Sequence, residues 1–141
     1  MTNKTTIETK PANIPSCFDG PVTLRTIRKW SRTNNKWACL TCYDATTARW
    51  MAEAGLPTML VGDTAAEMIL GFDSTIHAPL DFLITLTAGV KRGAPDVFVI
   101  GDMPFLSYQV DDASAIINAG RFMTEGNADA VKLEVDGKYI D

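Results

Sequence analysis

Four short apolar segments alternate with segments of helical periodicity along the chain, and this alternation restricts the fold more than any other feature. The predicted strands are WACLTCYD (37–44), TMLVGDT (58–64), the stretch 97–102 and DAVKLEVDG (129–137). Strands that are apolar on both faces and are separated by helices form parallel sheets, because the helices then cover the sheet. The sequence therefore predicts an α/β fold, either a (βα) barrel or an open doubly wound sheet.

Start and stop signals delimit the helices that connect these strands. They are predicted at about 23–32, 45–55, 80–92 and from Asp111 or Asp112 to Gly126. Asp44 is placed to cap the second helix, since its carboxylate can accept hydrogen bonds from the first free N–H groups. In the last helix, Ile116, Ile117 and Phe122 have helical spacing and are expected to face the core.

Composition and charge argue against several classes of partner. The net charge is −4, and one basic cluster at 25–36 follows the spacing of a solvated helix face, so no nucleic-acid partner is expected. The polar N-terminus contains neither a secretory signal nor a membrane span, which predicts a cytoplasmic protein. Cys39 and Cys42 point to opposite faces of a strand, and we expect them, with Cys17, to be plain buried thiols.

The chain divides into a short polar segment and one domain. Residues 1–20 are rich in Thr, Lys, Asn and Pro and are predicted to form a flexible N-terminal arm before a domain at 21–141. Long polar loops after the second and third strands, and the lack of a G-x-G-x-x-G turn, favour a barrel. A complete (βα)8 TIM barrel needs about 250 residues. The 141 residues are therefore expected to supply about the first four βα units, the N-terminal half of a TIM-barrel domain.

Acidic side chains follow three of the predicted strands. Asp63, Asp102 and Glu134 lie at or near the carboxyl ends, where parallel α/β folds bind ligands, and Lys132 shares a strand face with Glu134. Three ionised carboxylates in one place require a cation, and oxygen ligands suit Mg²⁺. The sequence thus predicts a magnesium site, with separate helix caps and surface ion pairs as the alternative.

The stretches LTCYDATTARWMAEAG, MLVGDT, GFDST, VKRGAP, GDMPF and AVKLE give the chain a family resemblance. From about residue 37 to 137 it resembles the N-terminal half of ketopantoate hydroxymethyltransferase, also called 3-methyl-2-oxobutanoate hydroxymethyltransferase. The resemblance implies a Mg²⁺-dependent TIM barrel, usually a decameric homo-oligomer. It also implies the first step of pantothenate synthesis, the transfer of a hydroxymethyl group from 5,10-methylenetetrahydrofolate to 3-methyl-2-oxobutanoate.

Carried over by position, the resemblance assigns roles to five residues. Asp63 and Asp102 would ligate or hold Mg²⁺, with Glu134 near it directly or through water. Asp63, Thr64, Asp102 and Lys132 would contact the 2-oxo acid. The family's general base is a glutamate of the second barrel half, beyond Asp141, so these 141 residues alone are expected to turn over poorly.

Two positions differ from the family pattern. Ser-Leu-Gly is replaced by Thr64-Ala65-Ala66, which matters if the backbone at Ala66 needs positive φ, and Gly-Gly is replaced by Val135-Asp136. Two other functions stay open. One is a Mg²⁺-dependent 2-oxo-acid lyase or mutase of the isocitrate-lyase type, whose Lys-Cys-Gly-His loop the sequence lacks. The other is a non-catalytic half-barrel that pairs with another chain.

Overall fold

A computed structural model describes residues 20–135, which form a four-stranded parallel sheet with helices between the strands. The strands are β1 (Cys39–Thr41), β2 (Thr58–Val61), β3 (Phe98–Asp102) and β4 (Ala130–Lys132). The helices are α1 (Leu24–Arg32), α2 (Ala45–Glu53), α3 (Ala65–Met68), α4 (Leu80–Gly93) and α5 (Asp112–Thr124), with a 3-10 turn at Thr75–His77. Neighbouring strands in the sheet are also neighbours in the chain, as in a barrel. The predicted parallel α/β architecture is confirmed.

One face of the sheet packs against α2 and α4. Met59 and Val61 of β2 and Val99 of β3 are fully buried in an apolar cluster with Ala48 and Val90 of these helices. The register pairs Met59 with Val99, so these side chains lie side by side on the helix-covered face.

The opposite face of the sheet carries the candidate site. The register pairs Leu60 with Ile100, and both are only partly buried. Asp102, two residues beyond Ile100, shares this face because side chains alternate along a strand. The pleat therefore directs a carboxylate away from the helices, at the carboxyl end of β3.

Helix α5 packs on the sheet through one large side chain. Phe122 is completely buried, and its ring lies so close to Gly101 that a Cβ atom at that position would collide with it. Gly101 therefore allows the helix to approach β3 closely.

The expectation for the rest of this helix is wrong in part. Ile116 and Ile117 are 72% and 63% exposed, whereas Phe122 is buried as predicted. Helical spacing identifies an apolar stripe but does not show what covers it: in the described part of the chain, Ala115, Ala119 and Phe122 pack in the core, whereas Ile116 and Ile117 are exposed.

The cysteine prediction is also wrong in part. Cys42 is 1% exposed, but Cys39 is exposed, so the two thiols do point in opposite directions without both being buried. Cys17 and nearly all of the predicted arm lie outside the described residues. Among residues 20–135 no helix has the length and apolar character needed to cross a membrane.

An ion pair joins α4 to the start of β4. Lys91 Nζ lies 2.6 Å from Asp129 Oδ2 and 2.8 Å from the Val97 carbonyl oxygen, and the Val99 N–H donates to the same Asp129 oxygen at 2.8 Å. Both charged side chains are mostly buried, at 18% and 28% exposure. One carboxylate thus connects a helix and two strands.

We predict that Lys91→Met lowers the free energy of unfolding by about 1–2 kcal/mol, because it leaves a half-buried carboxylate without its cation. Urea denaturation measures the change. The control is Arg92→Met, which removes the same charge from an exposed position on the same helix. Equal losses in the two variants would contradict a specific role for the Lys91 ion pair.

Candidate active site

Asp102 and Lys132 form the centre of the candidate site. The register places them side by side at the ends of β3 and β4, and Lys132 Nζ lies 2.8 Å and 3.0 Å from the two Asp102 oxygens. Asp102 is 2% exposed. A buried carboxylate requires a cation or strong donors, and an adjacent strand supplies one.

A second aspartate, Asp63, contacts Asp102 through its backbone N–H. The backbone N–H of Asp63 donates to Asp102 Oδ2 at 3.4 Å, just beyond the end of β2. Burial raises the pKa of Asp102, and the Asp63 carboxylate raises it further, against the opposing effect of Lys132. Asp63 and Asp102, which were predicted to converge, are thus joined by a hydrogen bond from the backbone of one to the carboxylate of the other.

Lys132 lies between two carboxylates. Its ammonium is 2.7 Å from Glu134 Oε1 as well as bound to Asp102. Burial opposes the charged form, but the hydrogen bonds to Asp102 and Glu134 outweigh it, so the pKa of Lys132 is raised and the side chain is cationic at neutral pH. Glu134 is 66% exposed and reaches Asp102 only through this ammonium.

The three predicted metal ligands do not form one cluster. No group of three or more His, Cys, Asp or Glu side chains suited to a metal ion occurs between residues 20 and 135. Asp63 and Asp102 adjoin each other, while Glu134 pairs with Lys132. The described residues therefore offer an ion at most two protein carboxylates, those of Asp63 and Asp102, and oxygens from substrate and water would have to complete its shell.

Thr64 is held by a tyrosine that the sequence did not reveal. The Tyr43 hydroxyl and Thr64 Oγ1 are 2.6 Å apart, joining the end of β1 to the end of β2. Gly62 leaves room for this pair, because a Cβ atom there would lie 2.9 Å from Thr64 Oγ1. The signal that could have identified Tyr43 is its position at the carboxyl end of a predicted strand, the criterion that selected the acids.

The departure at Ala66 has no backbone consequence. Ala66 is buried within α3. In the described part of the chain, the non-glycine residues with positive φ are Asn34, Leu106 and Asn127, so Ala66 does not have this conformation. A side chain at this position is therefore unstrained. Of the other departure, Val135 is described and exposed, and Asp136 lies outside the described residues.

Comparison with known proteins identifies the family. The sequence profile described as ketopantoate hydroxymethyltransferase matches residues 21–141. The chain belongs to the ketopantoate hydroxymethyltransferase family. The resemblance carried by six short stretches of the sequence is thus confirmed over most of the chain.

Curated relatives bear the same name. The 3-methyl-2-oxobutanoate hydroxymethyltransferase of Mycobacterium tuberculosis (strain ATCC 25618 / H37Rv) is 45% identical over 125 residues, covering 87% of this chain and 44% of the relative. The Mycobacterium avium (strain 104) protein of that name is 50% identical over 108 residues, covering 77% of this chain and 38% of the relative. The chain therefore spans less than half the length of these ketopantoate hydroxymethyltransferases.

Solved structures support the fold alone. Two crystal forms of 2,3-dimethylmalate lyase, a PEP mutase/isocitrate lyase superfamily member, match with TM-scores of 0.62 and 0.60 at 16% identity. The first match covers 81% of this chain and 40% of the lyase. The prediction of a TIM-barrel family fold, present in part, is confirmed.

Proposed function

We propose that this chain provides the 2-oxo-acid site of an enzyme that transfers a hydroxymethyl group from 5,10-methylenetetrahydrofolate to 3-methyl-2-oxobutanoate. The product would be 2-dehydropantoate (ketopantoate), in the first step of pantothenate biosynthesis. The observation that carries the proposal is the buried Asp102–Lys132 pair on adjacent strands of a chain from this family.

Asp63 and Asp102 would hold Mg²⁺, with Glu134 near it directly or through water. Their adjacency supports this assignment, because two neighbouring carboxylates are a favourable donor set for a hard cation. When bound, the ion would withdraw electron density from the keto group and make the C3 proton more acidic.

The chain's own residues would bind and polarise the substrate. The Lys132 ammonium would stabilise the negative charge that develops on the keto oxygen when the C3 proton leaves. The Thr64 hydroxyl, oriented by Tyr43, would donate to an oxygen of the 2-oxo acid. The resemblance assigns proton removal to a glutamate of the second barrel half. It also implies a homo-oligomer, a decamer in the family. The charge and the polar N-terminus are the basis for proposing a cytoplasmic protein without nucleic-acid or membrane partners.

The competing enzymatic function is a 2-oxo-acid lyase of the isocitrate-lyase type. Its support is the structural likeness to 2,3-dimethylmalate lyase at 16% identity, against 45–50% identity to the hydroxymethyltransferases. The transferase is therefore the better-supported proposal.

A hybrid enzyme tests the proposed reaction. In it, the matching segment of the M. tuberculosis relative is replaced by this chain, and formation of 2-dehydropantoate is measured with both substrates and Mg²⁺. We expect turnover that depends on methylenetetrahydrofolate, and cleavage of 2,3-dimethylmalate should be undetectable. A hybrid with native circular dichroism and no transferase activity would contradict the proposal.

A further inference from the structure

Tyr108 connects the loop after β3 to the segment after β4. Its hydroxyl donates a hydrogen bond of 2.6 Å to the backbone carbonyl oxygen of Glu134. The side chain is 7% exposed, and burial raises the pKa of its hydroxyl, so the phenol remains protonated and able to donate at neutral pH. Neither the sequence patterns nor the proposed chemistry assigns this residue a role.

The loop that carries Tyr108 is itself anchored. The Ser107 hydroxyl donates to the Pro104 carbonyl oxygen at 2.6 Å, and the Asn118 amide of α5 donates to the Ser107 carbonyl oxygen at 2.7 Å. The Tyr108 side chain belongs to a buried apolar cluster that includes Met103 and Phe122. These contacts therefore hold the Tyr108 side chain in a defined position.

Glu134 needs such support because it lies past the sheet. Strand β4 ends at Lys132, whose carbonyl oxygen accepts from the Met103 N–H at 3.0 Å. Two residues later, Glu134 is exposed, yet its carboxylate lies 2.7 Å from Lys132 Nζ. The Tyr108 hydrogen bond fixes the backbone from which that carboxylate extends.

We propose that Tyr108 is a positioning residue, which holds the backbone at Glu134 so that the Glu134 carboxylate orients the Lys132 ammonium between itself and Asp102. The hydrogen bond from Tyr108 and the two ion pairs of Lys132 form one continuous path of contacts. The effect on substrate affinity rests on the proposed function, whereas the effect on the ammonium does not.

The test is Tyr108→Phe in the 141-residue chain, with the side-chain NH₃⁺ signal of Lys132 followed by ¹⁵N NMR. The signal is assigned by its disappearance in Lys132→Arg and recorded at a pH where the ammonium is fully protonated. We expect its hydrogens to exchange with water about 3- to 10-fold faster, the factor that loss of one hydrogen bond confers. Tyr43→Phe, which removes a phenol hydroxyl bonded to Thr64, should leave this rate unchanged.

Combining Tyr108→Phe with Glu134→Gln distinguishes an effect that acts through Glu134 from a general increase in flexibility around Lys132. Glu134→Gln should raise the exchange rate by a similar factor, and Tyr108→Phe should then add nothing, because its route is already interrupted. Additive effects, or an unchanged rate in Tyr108→Phe, would overturn the proposal. If Tyr108→Phe does not fold, Glu134→Gln is the test. An unchanged exchange rate of the Lys132 ammonium in Glu134→Gln would overturn the proposal, because Tyr108 is proposed to act only through Glu134.

Calorimetric titration with Mg²⁺ and 3-methyl-2-oxobutanoate gives the second readout. We expect Tyr108→Phe to weaken 2-oxo-acid binding by about the same 3- to 10-fold factor, again without further loss in Glu134→Gln. If the unaltered chain binds no 2-oxo acid but the NMR results are as expected, the positioning role stands and the proposed function is weakened. If binding occurs and neither variant changes it, the proposed link between the positioned ammonium and 2-oxo-acid affinity is refuted.

Discussion

Asp102→Asn is expected to weaken the binding of 3-methyl-2-oxobutanoate in the presence of Mg²⁺ by about 30-fold or more. Asp102 is both a proposed metal ligand and the buried partner of Lys132. Removing one charge from such a buried, hydrogen-bonded set costs about 2–5 kcal/mol in binding. Isothermal titration calorimetry on the 141-residue chain measures the loss.

The same substitution should also lower stability moderately. Burial of the Asp102 carboxylate already opposes the gain from its ion pair, and its raised pKa reflects that cost. The substitution removes one partner of Lys132 but leaves Glu134 paired with the ammonium, so the free energy of unfolding should fall by about 1–2 kcal/mol.

The control for the binding prediction is Asp96→Asn. Asp96 is exposed and precedes the other end of β3, so this variant should retain affinity. Equal weakening by both would show that only the net charge matters.

Phe122→Ala should have the largest effect on stability, a loss of about 3–5 kcal/mol, because it leaves a cavity between α5 and β3. The ring is completely buried and fills the space that Gly101 leaves open. Since a domain of this size is stable by only about 5–15 kcal/mol, the midpoint of urea denaturation should fall sharply.

Met123→Ala supplies the matched control for the cavity. Met123 follows Phe122 on the same helix but is 44% exposed, so its truncation should cost about 1 kcal/mol or less. If the two variants lose similar stability, helix propensity rather than packing on β3 would be the cause, and the role given to Phe122 would be wrong.

Local sequence patterns predicted the framework well because strands and helix ends have local causes. β3 begins within one residue of its predicted start and ends at Asp102 as predicted, and α5 is capped by Asp111, whose carboxylate accepts from the Ser114 N–H. Whether another element packs on an apolar helix face does not depend on local sequence, which is why Ile116 was wrongly predicted to face the core.

The site was predictable only along individual strands. Strand alternation and the shared carboxyl edge placed Asp102 and Lys132 together, as the structure has them. The predicted second strand, 58–64, was too long at the Asp63 end, because β2 ends at Val61 and the backbone then turns into α3. The Tyr43–Thr64 contact spans 21 positions and depends on how two strand ends meet, so no periodicity in the sequence contains it.

Lys132 belongs to β4, which within residues 20–135 has a strand neighbour on its β3 side only. The opposite rim of this strand presents backbone groups that a further strand could engage. Any such strand would also restrain the peptide that bears the ammonium. Pairing of a further strand with β4 and orientation of the Lys132 ammonium would then occur in the same folding step.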